Sequence, residues 1–155
     1  MTVPPPMRFV AKSDDAPSVP GAYALLILLD APLLARARGR SAALEPGRYI
    51  YCGSAKGPGG IAARLARHMR QEKRAHWHAD QLTGAGRTSG AWVAPGGDEC
   101  RLNSELAGLP TPFEGFGSSD CPRCKSHLRF WPGDVALPSH WENARKSANS
   151  AGEPD

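Results

Sequence analysis

The chain has few cysteines, few aromatic residues and no long hydrophobic run. Its four cysteines are too sparse for a disulfide framework, and its first residues contain no continuous apolar segment of the kind found in secretory leaders. The longest apolar run, Ala24–Leu29, is far too short to cross a bilayer. We therefore expect a cytoplasmic protein that has no membrane partner and keeps its thiols reduced.

Positive charge is concentrated in the middle of the chain, whose 155 residues are enough for one domain with a single core. Ten of the nineteen Lys and Arg residues lie between positions 31 and 79, where Glu45 and Glu72 are the only acids. Such a surface binds polyanions by releasing their counterions, but it is also compatible with a solvated helix face. Charge alone leaves both interpretations open.

Hydrophobic patterning predicts three strands. Gly21–Leu29 is a continuous apolar run of strand length, which favours a strand buried on both faces. Arg48–Ser54 follows a Pro-Gly turn and is rich in aromatic and β-branched residues, which favour strands. Thr88–Val93, after a glycine-rich break, is predicted to be the third strand.

An apolar stripe of residues spaced four apart predicts a helix over residues 61–72. Arg64 and His68 lie on one border of that stripe, where a helix packed on a sheet can direct polar groups into a cleft. Arg67 and Arg70 are expected to face outward. These positions make the helix a candidate part of a functional site.

A second helix is predicted over Asp98–Gly108, because its first residue is a favourable N-cap and its second is acidic. Residues 1–18 are rich in proline and predict an irregular N-terminal arm. Residues 132–155 predict a polar, flexible C-terminal tail. The folded domain is therefore expected to comprise residues 19–131.

The order of three motifs makes the sequence recognisable. The tripeptide at 21–23 (GAY) opens the first strand, the tripeptide at 51–53 (YCG) closes the second, and Arg64 precedes His68 by four residues on the helix. This order resembles the GIY-YIG nuclease superfamily, whose namesake tripeptides lie on adjacent strands and whose helix presents an arginine. The segments YCGSAKGPGG, KRAHWHADQLT, DEC and GFGSSDCPRCKSHL are similar to an uncharacterised branch of that superfamily, which is also found fused to endonuclease III-type repair proteins.

The resemblance covers about residues 19–131 and implies an α/β fold, with a small, largely antiparallel three-stranded sheet flanked by helices. It also implies a metal-dependent DNA endonuclease that hydrolyses phosphodiester bonds in DNA repair or DNA processing. Mg²⁺ or Mn²⁺ is the implied cofactor, and DNA and other DNA-repair proteins are the implied partners. Ala22 and Cys52 replace the isoleucines of the namesake motifs, at positions that serve packing.

Hydrolysis of a phosphodiester requires an activated water and charge neutralisation around the phosphorus. Arg64 can bind the non-bridging oxygens bidentately. The resemblance assigns the general base to a motif tyrosine, Tyr23 or Tyr51, which requires a pKa well below the usual value of about 10, and nearby cations favour that lowering. His68 is the alternative proton acceptor.

The resemblance places the metal ligand, a glutamate, on the helix after the third strand. Glu99 and Glu105 both qualify, and Glu99 is preferred because the adjacent Cys100 fits the pattern of the branch. One carboxylate can hold one hard divalent cation that keeps most of its waters, as Mg²⁺ does.

Other residues are assigned to support of the site or to DNA binding. The expected supporting residues are Gly21, Gly53, His78 and Asp80. His76 shares a face with His78 if their segment is a strand, and with Asp80 if it is a helix. The expected DNA contacts come from cations of the basic region and from an indole that can stack on an unpaired base: Lys56, Arg67, Arg70, Lys73, Arg74 and Trp77.

Cys121, Cys124 and His127 form a C-x-x-C-x-x-H pattern, and with Cys100 they could supply four soft ligands to a structural zinc ion. A single CxxC pair with one distant cysteine also fits a buried thiol cluster or a redox pair. A zinc ion at this position would hold the C-terminal segment against the second helix.

Two other functions fit the same residues. An abasic-site lyase would form a Schiff base through Lys73 or Lys56 and would cut DNA without a metal. A nucleic-acid-binding module without catalysis would use the basic region and Trp77, and its affinity would fall steeply with salt. The preferred DNA structure, activity on RNA and the oligomeric state do not follow from the sequence.

Overall fold

The computed structural model of the protein describes residues 7–70, 78–117 and 124–152, with side chains through residue 148. These residues form an α/β fold with one five-stranded antiparallel sheet and a separate two-stranded hairpin. The strands are β1 (Arg8–Val10), β2 (Gly21–Leu29), β3 (Leu33–Ala37), β4 (Arg40–Leu44), β5 (Gly47–Ala55), β6 (Arg87–Pro95) and β7 (Leu128–Trp131). The helices are α1 (Gly60–Met69), α2 (Ala79–Ala85), α3 (Glu99–Glu105) and α4 (Ser139–Gly152).

The large sheet has the order β1-β6-β2-β5-β7, with β2 at its centre. Both faces of β2 are covered, and every residue of the strand except Leu28 is buried. The continuous apolar run predicted such a strand, and β5 and β6 confirm the other two predicted strands with bounds one or two residues wider. In the β2–β5 pair, Tyr23 lies opposite Gly53, so the two namesake motifs are adjacent in space.

Alternating side chains of the sheet belong to two hydrophobic cores, one on each face. One core joins Tyr23, Leu25 and Tyr51 of the sheet to Ile61 and Leu65 of α1. The hairpin β3–β4 and α2 pack into this same core. The other face is covered by α3 and α4, whose apolar residues pack against the opposite side of β2, β5 and β6. The molecule is therefore a sheet between two helical layers.

The three-stranded sheet implied by the resemblance is too small. β1 pairs with β6 on one side, and β7 pairs with β5 on the other. Both added strands are short, at three and four residues, which gives too few alternations for a periodicity signal. The hairpin β3–β4 was also not predicted, because arginines alternate with alanines that sequence alone does not identify as core residues.

The terminal segments are more ordered than their composition indicates. The predicted irregular arm contains β1, with Phe9 and Val10 buried. The predicted polar, flexible tail contains α4, where the Trp141 side chain is fully buried. The buried Trp141 indole packs this otherwise polar helix against the sheet. A single residue of this kind does not change the average composition of the segment.

The two predicted helices are present with shorter bounds. α1 ends at Met69, and α3 begins at Glu99 with the Asp98 carboxylate accepting a hydrogen bond from the Cys100 backbone N–H at 2.9 Å. This contact confirms the predicted N-cap. Within the described part of the chain, no helix combines the length and apolar character needed to span a membrane.

Candidate active site

The Tyr23 phenol and the His68 imidazole form a buried pair between β2 and α1. The Tyr23 hydroxyl lies 2.8 Å from His68 Nε2, and both side chains are almost completely buried. Gly53 faces the tyrosine across the strand pair, and a Cβ at that position would lie 2.5 Å from the phenol oxygen. The second namesake motif therefore needs glycine so that the Tyr23 ring can lie flat against β5.

Tyr51 lies on the same face of the sheet, two residues before Gly53. Its hydroxyl contacts Gly117, where a Cβ would lie 2.4 Å away and where φ is +74°. The Phe116 ring meets the Tyr51 ring edge to face at 6.1 Å. This turn carries no role predicted from the sequence, although its Gly-Phe-Gly string is part of the resemblance.

Burial raises the pKa of both phenols. For Tyr23 the effect of burial exceeds the opposing effect of the Arg64 and Arg67 charges, and for Tyr51 the charge of Tyr23 itself adds to burial. The expected lowering of a tyrosine pKa by nearby cations is therefore wrong for the protein without ligands. Both phenols keep their protons around neutral pH, so Tyr23 can lose its proton only to a neighbouring acceptor.

Arg64 projects from the second turn of α1 toward the same region. Its positive charge acts on the Tyr23 phenol, and its guanidinium approaches the glycine-rich loop, 3.7 Å from where a Cβ on Gly57 would lie. Lys56 on that loop and Arg70 at the end of α1 are exposed. Arg64, predicted to lie on the border of the apolar stripe, thus has its charge near Tyr23.

Arg67 does not face outward as the helix periodicity predicted. Its guanidinium forms a bidentate ion pair with the Asp80 carboxylate, with N–O distances of 2.7 and 2.9 Å. The Asp80 side chain is 1% exposed and the Arg67 side chain is 20% exposed. The pair joins α1 to α2, and the Asp80 hydrogen bond raises the pKa of Arg67. Arg67, which was predicted to contact DNA, is thus paired with Asp80 across the α1–α2 interface.

His78 holds the turn at residues 113–117 against Tyr51. Its Nδ1 accepts a hydrogen bond from the Gly117 backbone N–H at 2.7 Å, and its ring packs on Phe116. Burial, followed by the charge of Arg38, lowers the pKa of His78. His78 is therefore a neutral imidazole near neutral pH and positions the turn through its unprotonated Nδ1.

The two candidate metal ligands point in different directions. Glu99 begins α3, and its negative charge raises the pKa of both Tyr23 and Tyr51. Glu105, the last residue of α3, accepts hydrogen bonds from the α4 residues His140 and Trp141. Of the two carboxylates, Glu99 is thus the one whose charge acts on both phenols, and Glu105 is engaged with α4.

Cys100, Cys124 and His127 form a cluster that could hold a metal ion. Their potential ligand atoms all lie within 4.8 Å of one another, and the Cys100 Sγ is 3.9 Å from His127 Nε2. The other ring nitrogen of His127, Nδ1, lies 3.8 Å from a Glu99 carboxylate oxygen. The His127 ring therefore lies between a thiol and a carboxylate, with Nδ1 too far from Glu99 for a hydrogen bond.

The His127 backbone connects this cluster to the tyrosine site. Its N–H donates to the Phe116 carbonyl and its carbonyl accepts from the Cys52 N–H, both at 3.0 Å. One backbone hydrogen bond therefore joins His127 to the turn that contacts Tyr51, and the other joins it to Cys52, the neighbour of Tyr51 on β5. Five residues with predicted roles lie outside the described residues: Lys73, Arg74, His76, Trp77 and Cys121.

Comparison with known proteins gives one match. The profile of a family described as "Domain of unknown function DUF123" matches residues 22–149. The match includes Tyr23, Tyr51, α1 and most of α4. It also includes the candidate metal cluster of Cys100, Cys124 and His127. No curated protein and no solved structure matches the chain.

Proposed function

Because the chain belongs to the DUF123 family, whose description names no activity, we propose its function from the site itself: a metal-dependent DNA endonuclease of the GIY-YIG type. The single observation that carries the proposal is the convergence of the Tyr23–His68 pair, Tyr51 and Arg64 on one face of the sheet. Two phenols, an imidazole and a guanidinium at one place supply proton transfer and phosphate binding together.

Arg64 binds the non-bridging oxygens of the scissile phosphate in this proposal. Its charge near the phenols then neutralises part of the negative charge that accumulates on phosphorus in the transition state. Arg70 and Lys56 are exposed on either side of Arg64 along the chain and contact the flanking phosphates.

Tyr23 and His68 carry the proton transfer. Since burial keeps the Tyr23 phenol protonated, the phenol can act as a base only by passing its own proton to His68 Nε2, 2.8 Å away. The phenol oxygen then takes a proton from the attacking water. This relay reconciles the tyrosine base implied by the resemblance with the imidazole that was its alternative.

Glu99 is the residue that would hold Mg²⁺ or Mn²⁺. A half-exposed carboxylate whose charge reaches both phenols fits the hard-oxygen chemistry of these ions. When bound, such an ion supplies positive charge at the phosphate and a polarised water.

We also infer that the metal of the Cys100–Cys124–His127 cluster is structural zinc. Two thiols and one imidazole match the ligands that zinc prefers, and the C-x-x-C-x-x-H pattern adds Cys121 as a fourth. Zinc there would hold α3 to the segment before β7, and it would fix the Glu99 end of α3.

The test compares cleavage of nicked, flapped and abasic oligonucleotides by wild type and by Tyr23→Phe, Arg64→Ala and Glu99→Gln, with Mg²⁺, with Mn²⁺ and with EDTA. Each substitution should lower cleavage by at least about 100-fold, and EDTA should abolish it. The matched control is Tyr49→Phe, which removes a β5 hydroxyl that binds the Glu45 carbonyl outside the site and should leave cleavage unchanged.

Three results would contradict the nuclease proposal. Cleavage by all three variants at the wild-type rate would show that the site is elsewhere. Cleavage of abasic DNA alone, insensitive to EDTA and trapped by borohydride, would identify a lyase. Binding that leaves every substrate intact would identify a nucleic-acid-binding module.

A further inference from the structure

The tip of the hairpin β3–β4 carries three exposed arginines within five residues: Arg36, Arg38 and Arg40. They line an open pocket of about 530 Å³, whose wall is completed by His78, and no acidic residue is among the described residues that line it. Like charges gather at one spot against their mutual repulsion, so an anionic ligand is the natural counterpart of this pocket.

The backbone of the hairpin turn favours small residues at the position of Arg38. Arg38 and Gly39 have φ values of +54° and +77°, as in the two-residue hairpin turns that prefer Asn, Asp or Gly. Among the described residues, Arg38 is the one side chain other than glycine held in this left-handed region. An arginine at a backbone position that favours small residues indicates that the charge of Arg38 has a role.

The arginines are held on a rigid support. The Gln81 side chain accepts from the Arg36 N–H and donates to the Arg36 carbonyl, both at 2.7 Å. Arg40 donates to the Glu114 carbonyl at 3.0 Å. Ala35 and Ala37 anchor the strand in the core that contains the tyrosines. These contacts fix the backbone of β3 and the Arg40 side chain beside the pocket.

The pocket is linked to the tyrosine site through His78. His78 lines the pocket and also binds Gly117, which contacts the Tyr51 hydroxyl. Because His78 Nδ1 accepts the Gly117 N–H, its ring proton lies on Nε2, where it can donate to an anion. The turn at residues 113–117 thus lies between the pocket and the proposed cleavage site.

We propose that the Arg36–Arg38–Arg40 pocket binds a backbone phosphate of the DNA strand, beyond the phosphate that is cut. The inference rests on the proposed function for the identity of the strand, but the pocket itself requires only a phosphodiester. The arginines donate to the phosphate oxygens and His78 adds a neutral donor. The hairpin thereby sets the position of the strand relative to Tyr51.

The test measures binding of a duplex oligonucleotide without divalent metal, so that cleavage is not required. The triple variant Arg36→Gln, Arg38→Asn, Arg40→Gln removes three positive charges. Asparagine is chosen at position 38 because it tolerates the left-handed conformation of the turn. Its affinity should fall by about tenfold or more, and the slope of log K against log salt should decrease by about 2 to 3. The matched control is Arg8→Gln, Arg101→Gln, Lys146→Gln, which removes three exposed charges from β1, α3 and α4.

Equal affinity of the two triple variants would overturn the proposal. Binding of polyglutamate by wild type as tightly as DNA, with the same dependence on the three arginines, would also overturn it by identifying an acidic peptide as the ligand. The single variant Arg38→Asn should stay folded by circular dichroism and bind more weakly than wild type. Wild type that binds DNA through the hairpin and never cuts it would refute the nuclease proposal and leave this one intact.

Discussion

The close approach of Gly53 to Tyr23 is the sharpest steric constraint at the residue scale. An added Cβ would lie 2.5 Å from the phenol, so the ring must move away from β5 and from His68. Gly53→Ala is expected to lower the free energy of unfolding by about 1 to 3 kcal/mol and to reduce cleavage as strongly as Tyr23→Phe. Urea denaturation and single-turnover cleavage measure the two effects.

Gly84→Ala is the matched control for this substitution. Gly84 lies in α2, and a Cβ there meets nothing within 4 Å. Alanine in a helix should raise the free energy of unfolding by about 0.5 to 1 kcal/mol and leave cleavage unchanged. Equal stability of the two variants would show that the Tyr23 ring does not need its contact with Gly53.

The ionisation of the tyrosines provides a second prediction at this scale. Burial raises the pKa of all three phenols above the ordinary value, to about 12 for Tyr49. The folded state therefore retains phenol protons that the unfolded state loses near pH 10, and this contribution to stability is complete below pH 10 and is lost as pH rises further. Absorbance at 295 nm should show no tyrosinate below about pH 10 and a cooperative rise on alkaline unfolding. A phenol that titrates near pH 8 in the folded protein would contradict the proton relay through His68.

At the element scale, α4 is an integral part of the fold. Trp141 is fully buried, its indole N–H donates to Glu105 and its carbonyl accepts from the Trp92 indole. Trp141→Ala should lower the free energy of unfolding by about 3 to 5 kcal/mol, because it leaves a large cavity between α4 and the sheet. Asn143→Ala, at an exposed position of the same helix, should change it by less than about 0.5 kcal/mol. A Trp141→Ala variant as stable as wild type would mean that α4 is peripheral.

The elements that sequence patterning predicted share one property. β2, β5, β6 and α1 each bury most of one face or both, so their apolar pattern is strong over nine or ten residues. The β3–β4 hairpin pairs locally, but its strands alternate arginine with alanine rather than with large apolar residues. β1 and β7 are stabilised by long-range pairing, which leaves little periodicity in three or four residues. Their existence follows from the neighbours they pair with, and a single sequence does not specify those neighbours.

At the scale of the whole molecule, the fold brings together site residues that are far apart in the sequence. Tyr23, Tyr51, Arg64 and His68 were predicted because their ordered motifs resemble a known superfamily, and they do lie together. The Arg67–Asp80 pair and the His78–Gly117 contact were not predicted, since both depend on how α2 docks against α1 and the turn at 113–117. Residue type and spacing can therefore predict reactive groups, whereas the contacts that support them can be identified only from the tertiary fold.

The molecule should carry two metal ions with separable roles, because the soft cluster and the Glu99 carboxylate differ in ligand chemistry. Cys124→Ser should lower the zinc content of purified protein from about one equivalent to below about 0.2 and should reduce thermal stability. Glu99→Gln should retain its zinc and lose cleavage. Cys52→Ala removes a fully buried thiol outside the cluster and should retain both.

Metal content by mass spectrometry, read beside cleavage with added Mg²⁺, separates the possible outcomes. Zinc retained by Cys124→Ser would show that the cluster does not bind it. Zinc lost from Glu99→Gln would mean that one metal centre includes Glu99 and His127 together, whose 3.8 Å separation allows either arrangement. In that case Glu99 would be a ligand or orienting group of the soft site, and Mg²⁺-dependent cleavage retained by Glu99→Gln would assign the ion that activates water to a different carboxylate.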